Sequence, residues 1–332
     1  MEKKDLQTIQ NIRKHAFDKK RTCMYPGCQD VSINSHILQR KGILDTIAEN
    51  GHVIQIKVTD YYKMAKEGPV TFDRIGVGKA ISLPLFCNEH DTKVFKPIES
   101  GFGISDYQSQ LLYSYRAVCA EVRRKEINID GDERIIAAKS LDTRQNGDFL
   151  EMSKLSLSGE RIGFKDISML KSDFDAELFG TSIGLFEFKY FSYGFLGVCA
   201  SATFSPETKN PDLHTNPKLV QVILDRERLY PVLVHLIPQE HNLHVLLGYH
   251  KSLVHNEIKD YVSSWENLNN IQLQQKVSDL ITTKVETWSM AESLYKKIPN
   301  QKKEQFKEYW KGSVSLNTNI APYLPANFNL FD

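Results

Sequence analysis

Cys23-Met-Tyr-Pro-Gly-Cys28, answered further along the chain by Cys87-Asn-Glu-His90, governs how the N-terminal third can fold. Pro26 and Gly27 supply a tight turn that brings two thiolates round to one ion, and the C-x2-H pair adds a third thiolate and an imidazole. Tetrahedral zinc accepts a Cys3His set without any redox chemistry, so Cys23, Cys28, Cys87 and His90 are expected to hold a structural zinc. The competing reading makes Cys23 and Cys28 buried free thiols in a metal-free core. A bound zinc would also explain how so loop-rich a segment folds.

The rest of the sequence frames that site. The chain has 332 residues, 41% hydrophobic and 25% charged, enough for a sizeable core and more than one small module. Lys+Arg 42 against Asp+Glu 41 leaves a net charge of +1, which excludes a polyanion-binding field spread over the whole chain. Residues 1–130 hold 20 Lys/Arg and 16 Asp/Glu, net +4, and the remainder 22 and 25, net −3, so the half with the Cys/His set is the basic one. The first twenty residues lack the apolar stretch of a secretory signal and no run reaches the ~18 apolar residues of a membrane span, so a cytoplasmic, membrane-free protein is expected. A reducing compartment favours metal binding over disulfides for the five cysteines.

Periodicity predicts a short amphipathic helix over 5–20, a strand over 52–59 and a long helix over 105–126 with Ser105 as its N-cap. The polar stretch 128–163 reads as a helix and loops joining two domains. Beyond it, 183–204 suggests two strands, 230–238 and 242–249 a hairpin turning at Gln239-Glu240-His241, and 252–311 helices. The expected architecture is α+β: a zinc-binding domain over 1–130, a linker over 131–163, and an α+β domain over 164–332 with a helical C-terminal part.

SHILQRKGIL (35–44) and LFCNEHDTKVF (85–95) lie at and between the knuckles. Here the chain resembles the zinc-knuckle branch of the HNH (ββα-metal, treble-clef) endonucleases, in which a first knuckle precedes an Asp-His-Ile-x-Pro-like segment. Their second knuckle reads roughly Leu-Cys-x-x-Cys-His-x-x-Lys. The likeness spans residues 20–96, and the two stretches are also similar in style to uncharacterised bacterial proteins, some of them defence-associated. It implies a treble-clef zinc domain and a metal-dependent endonuclease acting on nucleic acid. His36 would be the general base that activates water, Asp91 the ligand of a catalytic Mg2+ or Mn2+, and Lys93 a nucleic-acid contact. Two positions depart from the pattern: Ser35 stands where the family has a metal-binding carboxylate, and Ser82 near its usual asparagine. The residues alone equally allow His36 as a core histidine, Asp91 as the cap of a helix beginning near Thr92, and Lys93 on a solvated helix face. His52, after Gly51, is either a third site histidine or the start of an exposed strand.

Other constellations carry less. Asp173 and Asp175 followed by Glu187 and Lys189 match a loose D…ExK nuclease spacing, although an amphipathic strand gives the same alternation. His235, His241, His244 and His250 gather on the expected hairpin without metal-ligand spacing, and Gly76-Val-Gly-Lys79 lacks the first glycine and the Ser/Thr of a phosphate loop. The aromatic run from Phe186 to Phe195 could stack a base or fill a core. Two functions therefore stand side by side: an HNH-like endonuclease, or a non-enzymatic zinc-stabilised protein that binds nucleic acid, a ligand or a protein partner, with a homo-oligomer allowed by either.

Overall fold

The computed structural model describes residues 2–100, 103–141, 143–205, 231–314, 324–325 and 327–332. Helix and sheet are mixed, as an α+β reading requires. Helix α1 (Lys3–Asp18) leads into the first knuckle. Strand β1 (Asn34–His36) pairs antiparallel with β4 (Ser82–Pro84), and between them lie the helical turn α2 (Asp45–Ile47), strand β2 (His52–Val58), helix α3 (Tyr61–Glu67) and strand β3 (Val70–Gly76). Helix α4 (Asn88–Glu99) carries the second knuckle, and the long helices α5 (Tyr107–Ile136) and α6 (Thr143–Phe179) follow. The remaining elements are β5 (Phe186–Gly194), β6 (Val198–Phe204), β7 (Val232–Gln239), β8 (Asn242–His250), α7 (Asn256–Ser263), α8 (Asn270–Thr283), β9 (Trp288–Met290), α9 (Glu292–Lys297) and α10 (Asn300–Val314).

Among the described residues seven strands form one antiparallel sheet in the order β3-β2-β9-β6-β7-β8-β5. Helical layers cover both faces, which is why β7 reads as the nearly unbroken apolar run Val232-Leu-Val-His-Leu-Ile237. Its odd positions Leu233 and Ile237 join the cluster beneath α5, α6 and the knuckles. Its even positions Val232, Val234 and Leu236 meet Trp265, Leu273, Val277 and Phe306 on the other side. His235 is the single polar residue of that run and is fully buried, with Nε2 3.0 Å from Ser114 Oγ and Nδ1 2.9 Å from Ser201 Oγ. One ring nitrogen donates and the other accepts, so a neutral imidazole is satisfied.

Residues 131–163, expected as a linker, are mostly helical. Ion pairs Lys125–Glu160 (2.9 Å) and Glu133–Arg161 (2.8 Å), with Ser156 donating to Asp132 (2.9 Å), zip α5 to α6 in antiparallel fashion. The polarity that resembled a loop belongs to the exposed faces and mutual contacts of two helices. The N-cap of α5 is Asp106, whose side chain accepts from Ser109 N (2.9 Å), in place of Ser105. The strand β9 lies inside a stretch read as helical. Three residues are too few for a period, yet this strand joins β2 from the N-terminal part to β6 from the C-terminal part, so the sheet takes strands from both sides of 131–163.

Trp288 of β9 is fully buried between Phe72 and Phe306, with ring centroids 6.0 Å from each. Trp288→Ala is expected to lower stability by about 3–5 kcal/mol, the usual cost of deleting so large a core side chain. Urea unfolding monitored by circular dichroism measures it; a loss below about 1 kcal/mol would deny β9 its place at the seam. No helix among the described residues is long and apolar enough to cross a membrane.

Candidate metal centre

The first knuckle is shaped by backbone bonds: Cys23 N to Asp30 O (2.8 Å), Cys28 N to Tyr25 O (3.1 Å) and Met24 N to Leu85 O (2.9 Å). Gly27 sits at φ +75°, a conformation that favours glycine and lets the chain double back between the thiols. The second knuckle begins at Cys87, the N-cap of α4, which puts His90 in the first helical turn with its ring turned back toward the thiol. Tyr25 stacks on that ring, with centroids 3.8 Å apart and planes within 8°, and fixes its orientation.

Together these elements bring Cys23, Cys28, Cys87 and His90 into one group whose ligand atoms all lie within 4.8 Å of one another. Cys28 Sγ is 4.0 Å from Cys87 Sγ, and His90 Nδ1 is 3.6 Å from Cys23 Sγ and 3.1 Å from Cys87 Sγ. With metal–ligand bonds of about 2.3 Å to sulfur and about 2.0 Å to nitrogen, tetrahedral zinc spaces its ligand atoms about 3.5–3.8 Å apart. The four residues fit that ion. Burial pushes the Cys23 thiol up to about 11, so metal uptake must displace its proton and weakens as pH falls.

The residues assigned to catalysis are disposed differently. His36 and Ser35 are consecutive in β1, so their side chains face opposite sides of the strand. His36 Nε2 lies 2.8 Å from the Val77 carbonyl oxygen and donates to it, which leaves Nδ1 as the acceptor nitrogen of the ring. Asp91 lies near Ser35, whose hydroxyl donates to the Ile33 carbonyl oxygen (3.4 Å), and Arg116 Nη2 donates to Asp91 Oδ1 at 3.3 Å. The same Nη2 donates to Glu99 Oε1 at 2.9 Å. Burial raises the Asp91 carboxyl above its ordinary range, against the lowering effect of Arg116. Asp91 is neither a helix cap, since Cys87 holds that position, nor part of a second group of three metal-binding side chains among the described residues. A divalent ion beside Asp91 does not fit these residues as they stand, because Arg116 already takes an oxygen of both Asp91 and Glu99 and no third metal-binding side chain joins them among the described residues.

Lys93 is exposed and pairs with Glu89 (2.7 Å) one turn back on α4. His52 starts β2, with Nδ1 2.7 Å from the Asn50 carbonyl oxygen. Of the D…ExK residues, Asp175 belongs to α6 and binds Lys171 (2.7 Å), while Glu187 and Lys189 lie 3.9 Å apart on the edge strand β5. His244 stacks on Tyr190 and Asp173 lies 3.8 Å from His250, so the hairpin histidines are dispersed. Phe186 packs on Phe174 at 3.9 Å, which makes the start of the aromatic run core.

Arg116 is the site residue that sequence reading passed over. The signal was its position: it follows Leu112 by four residues and precedes Cys119 by three, placing a charge on the buried stripe of α5. No family model matches the chain, and no curated protein or solved structure matches it either.

Proposed function

We propose that this chain is a zinc-stabilised, non-cleaving nucleic-acid-binding protein, in which an HNH-like treble-clef module has exchanged hydrolysis for binding. The knuckle, the β1/β4 pair and a helix whose first turn carries the last ligand support the treble-clef reading, and the Cys3His set supports zinc. The observation that carries the non-cleaving reading is the disposal of the two catalytic candidates. His36 is bonded to the Val77 carbonyl, and Asp91 to Arg116, on opposite faces of β1. A nuclease site needs its base and its metal ligand to converge on one phosphate, and the divergence of His36 and Asp91 across β1 supports the non-cleaving reading.

Binding would use the exposed cations of the module. Lys93 and Lys96 project from α4, and a surface pair such as Lys93–Glu89 is worth little, so phosphate can compete for the ammonium group. The double change Lys93→Ala/Lys96→Ala is expected to weaken binding of a fluorescent oligonucleotide by roughly 5–30-fold at low salt, about 1 to 2 kcal/mol in all, and to flatten the salt dependence by about two phosphate contacts. Anisotropy titrations on DNA and RNA at several salt concentrations measure both. Unchanged affinity and salt slope would remove α4 from the interface, and no binding by the wild type would overturn the proposal.

A further inference from the structure

Arg116 has a side chain only 2% exposed, on the buried face of α5 with Leu112, Tyr113, Cys119 and Ala120 one turn to either side. Its guanidinium carbon lies 3.9 Å above the centre of the Phe95 ring, one Nη2 reaches both Asp91 and Glu99, and Nε is buried without a hydrogen-bond partner. A buried arginine that forgoes a bond at Nε and shares one nitrogen between two carboxylates is poorly optimised as an ion pair, because such pairs repay desolvation only when every donor is used. What it does supply is positive charge, set against the Asp91 and Glu99 carboxylates, oxygen donors of the kind a hard divalent cation takes.

We infer that the Arg116 guanidinium is a permanent internal cation occupying the position at which a divalent metal would otherwise balance Asp91 and Glu99. The inference rests on the non-cleaving reading and gives its physical basis: the module keeps the charge its fold needs and has no place for an exchangeable metal. The site then follows a simple rule. Removing the guanidinium leaves the half-buried Asp91 and the exposed Glu99 carboxylates facing each other, and a small divalent ion becomes the natural replacement.

The test compares melting of the wild type and Arg116→Met with and without millimolar MnCl2, with zinc content measured on every sample. Arg116→Met is expected to melt roughly 5–10 °C lower, and Mn2+ to recover most of that loss while leaving the wild type unmoved. The triple variant Arg116→Met/Asp91→Asn/Glu99→Gln is expected to recover without metal and to ignore Mn2+. A folded, zinc-loaded Arg116→Met that does not respond to Mn2+ overturns the inference, as does a wild type stabilised by Mn2+ as much as the variant. Should Arg116→Met fail to fold, Mn2+ electron paramagnetic resonance on the wild type and Arg116→Lys decides. A bound signal in the wild type that Asp91→Asn abolishes overturns the inference, and Mn2+ bound by neither sustains it. Cleavage of nucleic acid by the wild type would instead overturn the non-cleaving reading, whatever the melting curves show.

Discussion

Cys87→Ser is expected to abolish tight zinc binding and to unfold the knuckle region, with the largest loss of stability of any single change considered. Free energies of zinc binding to small structural sites are about 10–16 kcal/mol at neutral pH, and where no site exists in the unfolded chain that free energy is folding free energy. Cys87 sits where its loss propagates: it caps α4, neighbours the fully buried Phe86, and belongs to the same core cluster as Tyr115 of α5 and Leu233 of β7. Its effect should therefore reach beyond the module to the sheet. Equilibrium dialysis with metal analysis, followed by proteolysis of the variant, is the check. Cleavage is expected first between residues 19 and 100, and a chelator-treated wild type should behave alike. A Cys87→Ser protein with wild-type melting and protease resistance would show that the four side chains are ordinary core residues.

The second large effect is a pH dependence set by His235. Burial lowers its pKa to about 3, from an ordinary value near 6.5, so the native chain holds it neutral while the unfolded chain can protonate it. Below about pH 6.5 the unfolded state binds more protons than the native state, and stability falls as pH falls until about pH 3. At about 1.4 kcal/mol per pH unit the loss approaches 5 kcal/mol across the window. A metal held by the knuckle would also be lost in acid, so the wild type alone cannot isolate this contribution. His235→Gln keeps hydrogen-bonding capacity toward Ser114 and Ser201 without titrating. It is expected to be less stable than the wild type at pH 7 and to lose stability more slowly between pH 6 and 4, by about 1 kcal/mol per pH unit. Urea midpoints at four pH values measure the slope, and parallel curves for the two proteins would deny His235 this role.

The features legible in the sequence were those with short-range chemistry. Four ligand residues, three Cys and one His, at knuckle spacing sufficed to find the candidate metal centre, because Pro26 and Gly27 dictate the turn and Cys87 and His90 fall one helical turn apart. Helix α1, strand β2 and the β7/β8 hairpin followed from period alone, with Glu240 at φ +55° making the turn. What stayed hidden was long-range. The strand β9 pairs with residues far away in the chain on both sides, and its three residues carry no pattern of their own. The α5/α6 pair was obscured because its polar residues answer one another across the helices, as Asp132 does with Ser156 and Lys125 with Glu160, where a sequence shows only polarity. His36 and Asp91 were legible as residue types and illegible as a pair. Only the pleat of β1 and the arrival of Arg116 from α5 show that the two side chains point apart.

The decisive measurement is incubation of the zinc-loaded wild type with plasmid DNA and structured RNA in Mg2+ and in Mn2+, at protein concentrations where binding is saturated, with His36→Ala alongside. The account predicts that bound nucleic acid stays intact in every lane and that His36→Ala is indistinguishable from the wild type. Metal-dependent cleavage that His36→Ala abolishes would contradict it.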